Sequence, residues 1–87
     1  MRFIPGSPVF AVEVRSENAD EIEMADKRAD YFEAGTKVVW DVDLEAEVVH
    51  KYLHSDPSKP ITFSRGQTAD AEPGVPGWKV DVDWIFS

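Results

Sequence analysis

The sequence predicts a small α/β domain with a mixed β-sheet, a βαβ unit and one main helix. Three observations predict it. Short β-branched runs at 9–15 and 37–42 read as strands. A stretch with a helical start signal, a three-and-four apolar spacing and a glycine stop lies between them. The remaining sequence is cut by turn residues into further short strands.

In chain order, residues before Pro8 read as an extended lead-in with a Pro5-Gly6 turn. Val9 to Arg15 is the first strand. Side chains alternate between the faces of a strand, so Phe10, Val12 and Val14 share one face and Ala11, Glu13 and Arg15 the other. Asn18 and Glu21 have capping-box spacing, which predicts a helix over about 19–34 with Ile22, Ala25, Ala29 and Phe32 facing inward. Gly35 stands where a left-handed C-cap is expected. Lys37 to Val42 is a second strand. Strand, helix and strand with short links imply a right-handed crossover and parallel pairing. A turn at 43–46 leads to a third strand over 47–52, antiparallel to the second. Residues 54–60 read as a loop, 61–64 as a short strand, 73–77 as a turn-rich connector, and 78–82 as a last strand closing in a short turn or helix at 83–86.

With 87 residues the chain predicts a single domain over 1–87. It has no cysteine, which excludes disulfides and thiolate metal sites. No apolar stretch has the length of a membrane span, and the N-terminal residues are too few for a signal peptide's hydrophobic region. The expectation is a cytoplasmic protein with no membrane partner. A net charge of −8 opposes indiscriminate binding to nucleic acid, so any DNA-facing surface has to be local.

Glu13 is the residue that asks for a reason. A carboxylate in an apolar strand is costly unless it is paired, hydrogen-bonded or bound to a metal. Arg15, on the same face, is one partner. The two readings are a structural ion pair and half of a phosphodiester-cleaving site. Lys27 stands one helical turn before Tyr31 and one turn after Glu23, so it can face Tyr31's surroundings or pair with Glu23. Asp41 and Asp43 share a face opposite Val38, Trp40 and Val42, and a solvated face is the expected reading. His50 and His54 lack the spacing of a zinc site. Ser16 has no histidine neighbour and suits capping. Trp40, Trp78 and Trp84 read as core and closing-strand aromatics.

The ordered motifs resemble the Uma-two family, labelled "putative restriction endonuclease" within the PD-(D/E)xK nuclease superfamily. Pro8-Val9-Phe10-Ala11-Val12-Glu13-Val14-Arg15-Ser16 is similar to its central strand, and Lys27 to Thr36 to its helix. Val38 to Asp43 resembles the next strand, and Val75-Pro76-Gly77-Trp78 with Ile85-Phe86 the closing motif. The resemblance implies a restriction-endonuclease-like fold and a metal-dependent endonuclease that hydrolyses phosphodiester bonds in DNA with Mg²⁺ or Mn²⁺. It implies Glu13 as a metal ligand, Arg15 at the place of the superfamily's catalytic lysine, and Lys27 as the displaced basic residue.

The chain departs from the family in one place. The family's longer chains put a Pro-Asp strand and a helix before this region, and that Asp is the other metal ligand. Nothing upstream of Pro8 here carries a carboxylate, and Pro8-Val9 stands where many members have Pro-Asp. The resemblance is therefore to the C-terminal half of a member, truncated at the N-terminus. The alternative function is a non-catalytic remnant that keeps the fold and binds a partner, either as a homodimer or with a separately encoded N-terminal half.

Overall fold

A computed structural model describes residues 9–15 and 21–87. The Pro5-Gly6 turn, Ser16 and the Asn18 cap lie outside the described residues. The element order is β1 (Phe10–Arg15), α1 (Glu21–Glu33), β2 (Val38–Asp43), β3 (Val48–Leu53), β4 (Asp56–Phe63), β5 (Thr68–Asp70), β6 (Lys79–Asp81) and α2 (Val82–Ile85). A four-stranded sheet runs β1-β2-β3-β4, and β5 and β6 form a separate two-stranded sheet.

β1 and β2 are parallel, as the crossover rule requires, with Glu13 opposite Asp41 and Val12 opposite Trp40. β2 and β3 are antiparallel, as are β3 and β4. The α1 terminus is a Schellman motif. Thr36 donates its N–H to the Tyr31 carbonyl and Gly35 to that of Phe32, both at 3.0 Å, and Gly35 has φ 104°. Gly74, in the connector, is needed for a close approach. A Cβ there would lie 2.9 Å from the Val9 carbonyl oxygen, so any side chain would push the connector off the start of β1.

One sheet face is apolar. Val38, Trp40 and Val42 of β2 pack with Val49, Ala69 and Val82, and Phe10, Leu53, Phe63, Val80, Ile85 and Phe86 close around them. The lid over this face is β5, β6 and α2. Arg65 secures it, donating to Glu47 at 3.1 Å and to the Phe86 carbonyl at 3.0 Å. Trp40 donates its indole N–H to the Asp70 carbonyl at 2.9 Å, which satisfies the polar end of a buried ring. The opposite face lies under α1, where Ala11, Phe32 and Val39 form a small core with Tyr31 and Tyr52.

The structure differs from the sequence reading in several of its elements. Residues 54–60 are not a loop. They carry most of β4, whose exposed edge tolerates Pro57 and Pro60 because an edge strand has N–H groups to spare. β5, unforeseen at three residues, is too short to leave a periodic signal. The buried positions of α1 are Met24, Arg28 and Phe32, while Ile22 and Ala29, expected to face inward, are exposed. The helix is rotated from the apolar stripe because its face covers a charged centre. Trp78 and Trp84 are also exposed, not core, and only Trp40 is buried among the three.

Candidate active site

β1, β2 and α1 meet over the α1-covered face and bring the charged residues of the first half of the chain together. Ala11, Glu13 and Arg15 point toward α1, as strand alternation requires. Glu13 and Asp41 lie side by side on adjacent strands, yet they have different surroundings.

Asp41 is fully buried. Arg15 donates Nη2 to its Oδ2 at 2.6 Å and Nε to its Oδ1 at 3.3 Å, and Arg28 donates Nη1 to Oδ2 at 3.0 Å. Glu21, at the start of α1, joins the same two guanidinium groups. It accepts from Arg28 at 3.1 Å and from Arg15. The Arg28 guanidinium also stacks 4.0 Å from the Tyr52 ring centroid. Two acids and two arginines thus make one charge-balanced network, the condition under which a buried carboxylate is tolerated. The Asp41 hydrogen bond, with a smaller one from Glu21, raises the Arg15 pKa above its ordinary value against the opposing effect of burial. The Arg15 hydrogen bond holds the Glu21 carboxyl below the usual carboxylate range. Burial pushes the Tyr52 phenol up.

Glu13 stands outside that network. Tyr31 donates its hydroxyl to Oε2 at 3.0 Å, and the Lys27 ammonium approaches Oε1 at 3.4 Å. The Glu13 side chain keeps 19% of its surface exposed and that of Lys27 49%. Lys27 and Tyr31 are one turn apart on α1 and reach the same carboxylate from one side. The result is a half-open cluster of one acid, one ammonium and one phenol at the edge of the sheet.

The structure therefore joins Glu13 with Lys27 and leaves Arg15 with Asp41 and Glu21. A Glu13–Arg15 ion pair, one of the two readings of the sequence, does not form, because Arg15 is engaged by the more deeply buried Asp41 and by Glu21. The Lys27–Glu23 pairing is likewise replaced by Lys27–Glu13. Asp41 does not belong to a solvated face. It is buried because α1 lies over it, and nothing local in its own strand signals that. Asp43 has a local role in the β2–β3 turn, accepting the N–H groups of Glu45 and Ala46, both at 3.0 Å.

The donor set can be tested against a divalent cation. Among the described residues no group of three His, Cys, Asp or Glu side chains could hold a metal ion. Asp41, the acid next to Glu13, has both oxygens engaged by arginine. Glu13 can offer one ligand, and one carboxylate does not make a site for an ion that wants several oxygen ligands. The described residues do not fit a resident metal by themselves.

The architecture is a mixed sheet with a parallel β1–β2 pair joined by a crossover helix, with Glu13 on β1 reached by Lys27 from α1. The sequence matches the Uma2 family, described as "Putative restriction endonuclease", over residues 1–83, and the chain belongs to that family. The fold is similar to the crystal structure of a "putative nuclease" from Anabaena variabilis, with a TM-score of 0.77 at 14% identity over 94% of this chain. The chain spans 45% of that protein's length. No curated protein matches the sequence. Restriction-endonuclease-like families generally use divalent metals.

Proposed function

We propose that this chain is the folded unit of a DNA endonuclease that carries Glu13, with Lys27 and Arg15 as its basic groups. The observation that carries the reading is the convergence of Lys27 and Tyr31 on Glu13, in a family described as "Putative restriction endonuclease".

The chemistry is phosphodiester hydrolysis. Water attacks phosphorus and gives up a proton to solvent, the bond from phosphorus to a deoxyribose oxygen breaks, and that oxygen takes up a proton as it leaves. Lys27, half-exposed on α1, places a positive charge where a scissile phosphate would approach, and a fixed cation stabilises charge that builds up in the transition state. Tyr31 holds one Glu13 oxygen and fixes the carboxylate's orientation. Arg15, pinned by Asp41 and Glu21, holds the end of β1 against the helix. Its role is positional, since both of its partners are on the protein. Mg²⁺ or Mn²⁺ dependence belongs to the proposal as the usual chemistry of the class. Glu13 would supply one ligand, and the others would come from outside the described residues.

Nicking of supercoiled plasmid in Mg²⁺ or Mn²⁺ tests the reading. Glu13→Ala is expected to abolish nicking and Lys27→Met to reduce it by about 10²-fold or more. Undiminished nicking by Glu13→Ala rejects Glu13, and no nicking by the unsubstituted chain rejects a free-standing nuclease.

A further inference from the structure

Glu13 and Asp41 stand directly opposite each other on β1 and β2, on the face that α1 covers. Neighbouring strands lie about 4.8 Å apart, so two carboxylates placed this way can reach one ion between them. A divalent cation, bound through carboxylate oxygens at about 2.0–2.1 Å in the case of Mg²⁺, is an ion that such a pair can share. Here the oxygens are already engaged. Arg15 donates to both oxygens of Asp41, and Arg28 donates to Oδ2. Oε1 of Glu13 faces the Lys27 ammonium, and Oε2 accepts the Tyr31 hydroxyl. The charges point the same way. The described ion pairs of this cluster join three acids, Glu13, Glu21 and Asp41, to three bases, Arg15, Lys27 and Arg28. Their charges cancel, so an entering dication meets no net attraction and meets the Arg15 guanidinium beside Asp41. Repulsion between like charges is strongest where water is excluded, and Asp41 is fully buried with Arg28 nearly so.

We propose that Arg15 and Arg28 are specificity-determining residues that close the Glu13–Asp41 pair to divalent cations, their guanidinium charge standing at Asp41 where a metal's charge would stand. The kind of base matters. A lysine facing a cation can give up its proton and make room, whereas a guanidinium stays charged at any working pH. The hydrogen bond from Arg15 to Asp41 raises the Arg15 pKa further still. A divalent ion that uses Glu13 therefore draws its other ligands from groups other than Asp41. Taking the two guanidinium groups away reverses the balance. The same three acids then face Lys27 alone, with two negative charges in excess and both Asp41 oxygens released. The inference concerns the same site as the proposed nuclease but rests on cation binding, so it holds whether or not the chain cleaves DNA.

Titration of the whole chain with Mn²⁺, read by the loss of the free ion's electron paramagnetic resonance signal, tests it, with circular dichroism to confirm folding. The double variant Arg15→Met, Arg28→Met is expected to bind Mn²⁺ about 10-fold or more tightly than the unsubstituted chain, because affinity for a hard cation follows the number of charged ligands. Adding Asp41→Asn to that variant is expected to remove the gain. A folded double variant with no gain, or a gain that survives Asp41→Asn, overturns the proposal. So does an unsubstituted chain that loses its Mn²⁺ binding on Asp41→Asn alone, since Asp41 is then a ligand already. Should the double variant not fold, Arg15→Met alone is the second arm. It releases Oδ1 of Asp41 and leaves Arg28 on Oδ2. It is expected to show a smaller gain that Asp41→Asn again removes, and the same Mn²⁺ affinity as the unsubstituted chain overturns the proposal.

Discussion

The two faces of the central sheet are covered by opposite means, and β2 contributes to both. Its Val38, Trp40 and Val42 enter an apolar core under β5, β6 and α2. Its Asp41, one residue from Trp40, is as fully buried on the other face between two guanidinium groups. Apolar contacts are non-directional and tolerate repacking, so the first face is held by area and shape. The second is held by geometry, because a buried charge is stable only while its partners stay in place. Fixed geometry beside the partly exposed Glu13 is what a site requires, and the apolar face supplies the stability that lets the charged face be rigid.

The comparison can be broken first on the apolar side. Trp40→Ala removes the largest ring of that core and the hydrogen bond to Asp70, and is expected to cost about 3–5 kcal/mol in urea unfolding. Asp41→Ala is expected to cost about 3 kcal/mol, chiefly by leaving Arg15 and Arg28 without their shared carboxylate. A cost below about 1 kcal/mol would show that the guanidinium groups find water instead and that the network does not hold α1 in place. Glu13→Gln sharpens the contrast. Its ion pair with Lys27 is long and partly exposed, so stability should change by less than about 1 kcal/mol, while any nicking activity should be lost. A large loss of stability would make Glu13 a second structural acid.

The smallest expected effect is in acid. Burial pushes the Asp70 carboxyl up, but the Lys51 ammonium and the Glu72 N–H outweigh it and hold it below its ordinary value. Glu21 is held down by Arg15. A depressed carboxylate adds stability that is complete above its unfolded pKa, near 4, and is lost as the pH falls through the lower folded value. Thermal unfolding is therefore expected to be flat in pH from 7 to about 5 and to weaken below about 4. Lys51→Met should reduce the Asp70 share of that acid sensitivity, with the Glu72 N–H left to act, and Arg15→Met the Glu21 share, with Arg28 left.

The alternation in β1, the Gly35 stop and the short links around α1 put the β1–α1–β2 unit within reach of the sequence, because each depends on neighbours a few residues apart. Glu13 stood out locally as an acid in an apolar strand, and Lys27 and Tyr31 as candidates through the resemblance of their helix to the family's. Their pairing was not legible. Glu13 is joined to Lys27, and Arg15 to Asp41, by contacts 14 and 26 residues apart in the chain. The periodicity of α1 pointed to Ile22, but α1 turns Arg28 inward instead. The choice depends on which acid lies beneath the helix, and that depends on the β1–β2 register.

The sequence by itself determined the kinds of element, the parallel pairing of the first two strands and the family to which the chain belongs. The elements and the pairing follow from local backbone preference, side-chain alternation and the handedness of the crossover, and the family from the ordered motifs along the chain. Only the tertiary structure decided which acid is sealed beneath two arginines and which is left open beside a lysine. Electrostatic partners are chosen by distance in space after the strands are aligned, and a linear chain does not encode that distance in any single stretch.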